Sequence, residues 1–185
     1  MNNENKFPTR KPTRAHGFDY SNGGAYFLTI CTIGRKHLLS FIAPSDGLST
    51  VGDDALGVPI PTLTEYGKIV EKYINSTNKI RGVNVDKYVI MPNHIHFILS
   101  IDDDGTPRAS SPTRQTSTVS SCVSSLKRFV NKEIGENIFQ RSFYDRIIRS
   151  REEYNEIYNY IHLNPLNWEK DELFNDDIIL KGNTK

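Results

Sequence analysis

The middle of the chain carries the sequence Lys87-Tyr-Val-Ile-Met-Pro-Asn-His-Ile-His-Phe-Ile-Leu-Ser-Ile101. Two apolar runs flank the turn signal Met91-Pro-Asn93, and this pattern predicts a pair of short strands joined by a turn. Because side chains alternate between the two faces of a strand, His94 and His96 point to the same side of the second strand. Two neutral imidazoles side by side form half of a metal site, although histidines that face water or bond to neighbours fit the same pattern.

Strand-like and helical segments alternate around this strand pair. Apolar residues occupy every second position in the strand segments and recur every three or four positions in the helical ones. Two of the helices follow capping-box patterns, in which a serine or threonine precedes a glutamate by three positions. In chain order we predict a strand over 25–33, a helix from Thr62 to about Ser76, the strand pair, a helix from about Ser117, a strand over 143–148 and a helix from Ser150 that ends before Pro165.

The order of the first six elements, β-α-β-β-α-β, is that of a ferredoxin-like, split βαβ fold. We therefore predict an α+β domain with an antiparallel sheet, two helices on one face and a C-terminal helix added. The histidine strand is expected to be central, with its imidazoles facing the last helix. Residues 43–60 are rich in glycine, proline, serine and aspartate, and are predicted to form a loop without regular structure.

Length and composition are those of one globular domain with tails. No apolar run approaches the length of a membrane span, and the polar N-terminal segment lacks the apolar region of a signal peptide. We therefore expect a cytoplasmic protein without a membrane partner. Cys31 and Cys122 have no paired spacing and are expected to be buried, reduced thiols.

Positive charge is concentrated in two segments, although the formal net charge is only +1. Residues 1–16 are predicted to form an extended basic arm, and residues 126–151 include a helix with basic side chains on its polar face. Segments of this kind can hold a polyanion on one face of a protein. An ordinary solvated mixture of charges explains the same distribution.

The last predicted helix carries a tyrosine outside its apolar stripe. At about 100° per residue, Tyr160 lies roughly 110° from the centre of the stripe. Asn164 follows one turn later, so its side chain is a neighbour of Tyr160 on the helix surface. An exposed tyrosine and a helix-end asparagine before a proline are the plain alternative. The stripe itself consists of Tyr154, Ile157, Tyr158 and Ile161.

The histidine strand and the last helix together predict a specific chemistry. His94, His96 and the side-chain carbonyl oxygen of Asn164 could supply three ligands to a divalent ion, leaving positions open for a phosphate oxygen and water. Tyr160, one turn from a ligand, would lie within reach of the same phosphorus. A tyrosine oxygen is a usable nucleophile when a cation polarises the phosphate and the helix holds the attack in line.

The chain resembles the REP-associated tyrosine transposases, which belong to the single-tyrosine HUH endonucleases and are relatives of small insertion-sequence transposases. The resemblance spans about residues 9 to 173, and the order and spacing of its segments carry it. The segments are Arg10-Lys-Pro-Thr-Arg-Ala-His-Gly-Phe-Asp-Tyr20, Gly24-Ala-Tyr-Phe-Leu-Thr-Ile-Cys-Thr32, Tyr88-Val-Ile-Met-Pro-Asn-His-Ile-His96, Phe139-Gln-Arg-Ser-Phe-Tyr-Asp-Arg-Ile-Ile-Arg149 and Tyr160-Ile-His-Leu-Asn-Pro165.

The resemblance implies a ferredoxin-like endonuclease domain over residues 17–174, between the basic arm 1–16 and a polar tail 175–185. It implies that His94, His96 and Asn164 bind Mg²⁺ or Mn²⁺ and that Tyr160 is the nucleophile. The implied activity is cleavage and rejoining of single-stranded, hairpin-containing DNA through a 5′-phosphotyrosine, by a monomer or a homodimer. The candidates for contacts to the DNA backbone are Arg10, Lys11 and Arg14 in the arm and Lys127, Arg128 and Lys132 on the helix.

Two other classes of function compete with this interpretation. A protein of the same fold that binds single-stranded nucleic acid without cleaving it would stack bases on aromatic side chains of the sheet. The predicted helix over the histidine face of the sheet opposes that mode of binding. A zinc hydrolase that uses a bound hydroxide would need a third strong ligand or a fixed general base near His94 and His96, and the sequence supplies no obvious one.

Overall fold

The computed structural model describes residues 24–42, 57–102 and 118–175. The predicted basic arm, most of the loop predicted over 43–60 and nearly all of the polar tail lie outside these residues, as do Arg10, Lys11 and Arg14. The main elements are the strands β1 (Gly24–Cys31), β4 (Val83–Ile90), β5 (His94–Ile101) and β6 (Tyr144–Ile148), and the helices α1 (Glu65–Thr77), α2 (Thr118–Ile134) and α3 (Arg151–Leu163). Two-residue strands β2 (Ser40–Phe41) and β3 (Thr62–Leu63) and short 3-10 helices at Ile33–Arg35 and Pro165–Lys170 complete the list.

Four strands form one antiparallel sheet in the order β4-β5-β1-β6. This is the strand order of the split βαβ fold, so the predicted fold class is confirmed, with β2 and β3 as a small additional ribbon. The turn over residues 91–93 joins β4 to β5, and the amide of Met91 donates to the carbonyl of His94 at 2.9 Å. The histidine strand β5 is central, as predicted, because it pairs with β4 on one side and with β1 on the other.

The two faces of the sheet carry separate apolar cores. On one face, α1 and α2 pack against side chains that include Leu28, Ile95 and Leu99. On the other face, Ile157 and Ile161 of α3 pack with Ile98 and with Trp168. His94 and His96 share the parity of Ile98, so they lie on the α3 face. Among the described residues, no helix combines the length and the apolar character that crossing a membrane requires.

The first helix begins two residues later than the capping-box pattern predicted. Thr62 belongs to β3, and Thr64 is the N-cap, because its hydroxyl accepts from the amide of Gly67 at 3.0 Å. The same hydroxyl donates to the carbonyl of Leu38 at 2.6 Å, which ties the start of α1 to the chain that follows β1. The predicted N-cap Ser150 is confirmed by a bond from the amide of Glu153 to the Ser150 hydroxyl at 3.1 Å, while the Glu153 carboxylate accepts from the amide of Arg149 at 2.7 Å.

Candidate active site

Two buried histidines of β5 form the floor of the site. His94 pairs across the sheet with Cys31, and His96 pairs with Thr29. Their imidazole ring centroids are 4.4 Å apart, and both side chains are almost completely buried. The predicted geometry of the pair is therefore found, with both rings on one face beneath α3.

Hydrogen bonds fix the orientation of both imidazoles. Nδ1 of His94 donates to the side-chain oxygen of Asn93 at 2.7 Å, because an amide oxygen can only accept. The proton on Nδ1 leaves Nε2 of His94 with a lone pair, and this buried atom has no hydrogen-bond partner in the described part of the chain. Nδ1 of His96 is bonded to the hydroxyl of Thr29 at 2.8 Å. Both rings are thus held by Nδ1, which is how ligating histidines are usually oriented.

The electrostatic environment keeps both imidazoles neutral. Burial lowers the pKa of His94 to about 3, and the positive charge of Arg35 adds to the effect. Burial also lowers the pKa of His96, with the neighbouring His94 as the second cause. Because a metal ion binds the neutral form of histidine, these rings are in the ligating state over the whole neutral range of pH.

Helix α3 brings Tyr160 to the histidines. The ring centroid of Tyr160 lies 5.9 Å from that of Phe27 and 5.3 Å from that of His96. The phenol oxygen lies 3.4 Å from Nε2 of His96. Burial, reinforced by the negative charge of Asp171, raises the pKa of the Tyr160 phenol to about 12. Tyr160 is still 46% exposed, so an incoming strand can reach its hydroxyl.

The three other tyrosines that could compete with Tyr160 have different surroundings. The hydroxyl of Tyr154 donates to Asp86 at 3.1 Å. Tyr158 stacks on Tyr154 and lies beneath the ammonium of Lys87, and it is more exposed than its place in the predicted stripe suggested. Tyr144 is exposed on β6 and lines the same cavity as Tyr160, which makes it the relevant control in any test of the nucleophile.

Asn164 is buried at the end of α3 beside the same cluster. Its amide nitrogen donates to Oδ2 of Asp171 at 2.8 Å. Its carbonyl oxygen Oδ1 is a buried acceptor without a hydrogen-bond partner among the described residues. The structure therefore brings together the four residues predicted for the site. Two of their buried polar atoms, Nε2 of His94 and Oδ1 of Asn164, have no hydrogen-bond partner within residues 24–42, 57–102 and 118–175.

Asp171 is a site residue that the sequence analysis missed. One ligand atom each from His94, His96 and Asp171 lies within 4.8 Å of the others, a set of donors that could hold a metal ion. Oδ2 of Asp171 also accepts from the hydroxyl of Tyr160 at 3.4 Å. No motif spacing marks this aspartate, because it reaches the site only after the 3-10 helix Pro165–Lys170 has turned the chain back.

The donor atoms fit a divalent cation. Two imidazole nitrogens, an amide oxygen and a carboxylate are a mixed nitrogen and oxygen set that suits Mn²⁺, Mg²⁺ or Zn²⁺. Buried polar atoms that lack partners are rare in folded proteins and call for an explanation. A cation bound between Nε2 of His94 and Oδ1 of Asn164 would supply the missing partner for both atoms.

A cavity of about 460 Å³ opens beside the phenol of Tyr160. Phe27, Phe143 and Tyr144 give it aromatic walls, while His96 and Asp171 form its polar end. The ammonium of Lys127 supports one wall from behind, since it donates to the carbonyls of residues 140, 141 and 142 at 2.8, 3.4 and 3.0 Å. This placement, in which burial lowers the pKa of Lys127 to about 8, favours a structural role for that lysine.

The other helical candidates for DNA contacts lie away from the histidines. Arg128 and Lys132 are exposed on α2, which packs on the opposite face of the sheet. The guanidinium of Arg128 lies over the ring of Phe129. The structure thus brings the catalytic and metal candidates together and leaves these two basic residues on a separate surface.

Comparisons with known proteins found one similar curated protein and two similar solved structures, described here. An uncharacterised protein of Haemophilus influenzae is 29% identical over 184 residues, covering 90% of this chain and 94% of that protein. A solved structure of a REP-associated tyrosine transposase bound to a REP hairpin has a TM-score of 0.54 and 20% identity, covering 84% of this chain and 74% of that one. A putative transposase from Deinococcus radiodurans has a TM-score of 0.41 and 15% identity, covering 80% and 94% of the two chains.

A family model identifies the chain more directly. The model of the IS200-like transposases matches residues 62–164. The matched segment runs from β3 to the end of α3 and includes both histidines, Tyr160 and Asn164. The chain therefore belongs to the IS200-like transposase family.

Proposed function

We propose that this protein is a metal-dependent strand transferase that cleaves and rejoins single-stranded DNA through a 5′-phosphotyrosine on Tyr160. The observation that carries the proposal is the 3.4 Å approach of the Tyr160 phenol to Nε2 of His96. In this arrangement the candidate nucleophile lies beside two buried, neutral imidazoles and an amide oxygen to which no described residue donates. Family membership supports a transposase-type reaction on DNA.

Each residue of the site would have a distinct role in the proposed cleavage reaction. His94, His96 and Asn164 would hold the cation, and Asn93 and Thr29 would orient the two imidazoles. A bound divalent cation would offset negative charge on the non-bridging oxygens of the scissile phosphate. Helix α3 would hold the phenol oxygen of Tyr160 in line with the bond to be broken, which contributes to the rate by fixing orientation.

The covalent step exchanges one phosphodiester for another. The oxygen of Tyr160 forms a bond to phosphorus while the bond from phosphorus to the 3′-oxygen of the preceding nucleotide breaks. The phenol loses a proton and the departing 3′-oxygen gains one, so the products are a 5′-phosphotyrosine and a free 3′-hydroxyl. Oδ2 of Asp171, 3.4 Å from the phenol oxygen, is a proton acceptor outside the set of His94, His96 and Asn164. Attack by a 3′-hydroxyl on the phosphotyrosine reverses the reaction and rejoins strands.

We further propose that the substrate is a palindromic hairpin of the REP type, with a single-stranded flank in the cavity beside Tyr160. The structurally similar transposase is bound to a REP hairpin, which supports this choice. The aromatic walls of the cavity suit unstacked bases, whereas the acidic side chain of Asp171 disfavours additional phosphates at the cavity's polar end. The cavity volume of about 460 Å³ limits the enclosed part of the strand to a short segment.

A covalent-capture assay with end-labelled DNA tests the proposal. Purified protein and Mn²⁺ are incubated with single-stranded hairpins labelled at either the 5′ or the 3′ end, then separated on a denaturing gel. We expect a protein–DNA adduct that carries the 3′ label, because the 5′-phosphotyrosine retains the downstream fragment, and a released 5′-labelled fragment. Tyr160→Phe should abolish the adduct, and Tyr144→Phe, the matched control in the same cavity, should retain it.

Three outcomes would contradict the proposal. An adduct that carries the 5′ label would mean a 3′-phosphotyrosine, and one that survives Tyr160→Phe would move the chemistry to another residue. Hairpin binding without an adduct under any divalent metal would favour the alternative, a binding protein without catalysis.

A further inference from the structure

Asp171 and Asn164 share a buried contact at the edge of the site. The amide nitrogen of Asn164 donates to Oδ2 of Asp171 at 2.8 Å, while Oδ1 of the same amide accepts no hydrogen bond from any residue that the structure describes. The Asn164 residue is only 2% exposed, so water does not compete freely for this amide. The contact thus fixes one end of the amide and leaves the other end available.

The charge of Asp171 determines which end of the amide is available. An ionised carboxylate only accepts hydrogen bonds, so it selects the NH₂ group of Asn164 and repels the carbonyl oxygen. Rotating the amide by 180° would set Oδ1 against Oδ2 and break the 2.8 Å bond. A metal ion needs the opposite end, because an amide coordinates through its oxygen. Asp171 therefore enforces the orientation that metal binding requires.

Asp171 itself is held independently of Asn164. Its Oδ1 accepts from the amide of Leu173 at 2.6 Å, and its backbone is bonded to Trp168 and Phe174 at 3.1 and 2.9 Å. The segment that follows is anchored to the turn before β5, where Asn93 donates to the carbonyl of Leu173 at 2.8 Å. The carboxylate is thus a fixed reference against which the amide is oriented.

We propose that Asp171 is a positioning residue of the metal site, which holds Asn164 so that its oxygen is presented to the cation. This inference rests on the proposed function. A direct role as a ligand is the competing possibility, since Asp171 belongs to the cluster with His94 and His96. Each oxygen of Asp171 already accepts a hydrogen bond from the protein, whereas Oδ1 of Asn164 and Nε2 of His94 accept none from the described part of the chain. This difference favours positioning.

A thermodynamic cycle on Mn²⁺ affinity separates the two roles. Binding is measured by the electron paramagnetic resonance of free Mn²⁺ for the wild type, Asp171→Ser, Asn164→Ala and the double variant. Serine can still accept from the amide of Leu173 but is too short to reach Asn164, so the turn is preserved. We expect Asp171→Ser to weaken Mn²⁺ binding about 10- to 100-fold alone and less than about 3-fold in the Asn164→Ala background.

The outcomes are distinguishable from one another. Equal losses from Asp171→Ser in both backgrounds would overturn positioning and assign Asp171 as a ligand. Unchanged Mn²⁺ affinity in a folded Asp171→Ser protein would overturn any role at the metal. If Mn²⁺ binds no more tightly to the wild type than to His94→Ala, the metal site of the proposed function itself fails, whatever Asp171 does.

Discussion

The phenol oxygen of Tyr160 lies 3.4 Å from Nε2 of His96, and the same oxygen lies 3.4 Å from the carboxylate of Asp171. The nucleophile candidate thus stands between a candidate ligand and a negative charge. The carboxylate opposes ionisation of the phenol, and a cation bound by His96 would favour it. The readiness of the phenol to ionise would therefore depend on whether a cation is bound.

We expect the Tyr160 phenol to resist ionisation in the metal-free protein. Burial and Asp171 raise its pKa to about 12, so the phenolate is scarce at pH 7 and its fraction remains below about a tenth at pH 10.5. Asp171→Asn removes the negative charge beside the phenol and should lower this pKa. The ultraviolet absorbance of tyrosinate, measured with a chelator present as the difference between the wild type and Tyr160→Phe, follows the ionisation. A Tyr160 that is half ionised at or below pH 10 would contradict this account.

Replacing Asn93 should weaken metal binding, although Asn93 is not itself a candidate ligand. Its side-chain oxygen holds the proton of His94 on Nδ1, and its nitrogen donates to Leu173. We expect Asn93→Ala to lower Mn²⁺ affinity about 10- to 100-fold and the free energy of unfolding by about 1–3 kcal/mol. Asn93→Asp, which keeps the acceptor for His94, should retain most of the affinity. Titration calorimetry and urea denaturation measure the two effects, and equal Mn²⁺ affinity in Asn93→Ala and wild type would contradict this account.

Acid should destabilise the metal-free protein through its buried histidines. The pKa of His94 is about 3 in the folded chain against 6.5 for an ordinary histidine. The unfolded imidazole takes up a proton below pH 6.5 while the folded one stays neutral, so this stabilising contribution is present above pH 6.5 and is lost as pH falls toward 3. At pH 5 the loss from His94 amounts to about 2 kcal/mol.

Urea denaturation at pH 7.5 and pH 5.0, with a chelator present, measures this dependence. Between pH 7.5 and pH 5.0 the free energy of unfolding should decrease by about 2 kcal/mol less in His94→Gln than in the wild type. His37, which is bonded to Asn175 at 3.0 Å and shows no such burial, supplies the control variant His37→Gln. An identical pH dependence in the wild type and His94→Gln would refute the explanation.

The start of α1 tolerates no side chain at Gly67. A Cβ atom built on Gly67 would lie 2.0 Å from the carbonyl oxygen of Leu39, a distance that requires the backbone to move. We expect Gly67→Ala to lower the free energy of unfolding by about 3 kcal/mol or more, although alanine favours helix. The exposed neighbouring variant Lys68→Ala should change it by less than about 1 kcal/mol. Thermal and urea denaturation would show the contrast, and a neutral Gly67→Ala would contradict it.

The basic residues of α2 should separate into two classes. Arg128 and Lys132 are exposed. If either contacts a phosphate, its replacement by alanine should make the affinity for single-stranded DNA less sensitive to salt. The slope of log affinity against log salt concentration should then be less steep by about 0.7. Lys127→Met should leave that slope unchanged and lower stability by about 2 kcal/mol, because its ammonium holds three carbonyls. Fluorescence anisotropy at several salt concentrations tests both, and a reduced slope for Lys127→Met would return that lysine to the DNA-contact candidates.

Periodicity predicted most of the fold. The alternation in β5 and the turn Met91-Pro-Asn93 gave the strand pair and the common face of the two histidines, and the element order gave the sheet topology. The start of α1 was misplaced because Thr62, three positions before Glu65, fits the capping-box pattern, whereas the observed N-cap Thr64 has Gly67 at that spacing. A tertiary bond from Thr64 to the carbonyl of Leu38 accompanies this cap. Local signals of this kind specify the type of an element better than its ends.

The candidate site was predictable where its residues lie on regular elements. His94 and His96 share a strand face, and Tyr160 and Asn164 are one helical turn apart, so spacing alone relates each pair. Asp171 lies beyond α3, and its position depends on how the 3-10 helix Pro165–Lys170 and the anchored segment after it fold back. No local sequence pattern predicts that the chain folds back in this way, so Asp171 could be identified as a site residue only from the structure.

The turn between β4 and β5 also bears on the order in which the protein folds. These two strands are adjacent in the chain, so their pairing closes a small loop, whereas β1 must find β5 and β6 across long intervening segments. We therefore expect the hairpin with both imidazoles to be an early nucleus of folding and the helix with the tyrosine to dock late. In that order of events, Tyr160 would reach His96 only after the hairpin that carries both histidines has formed.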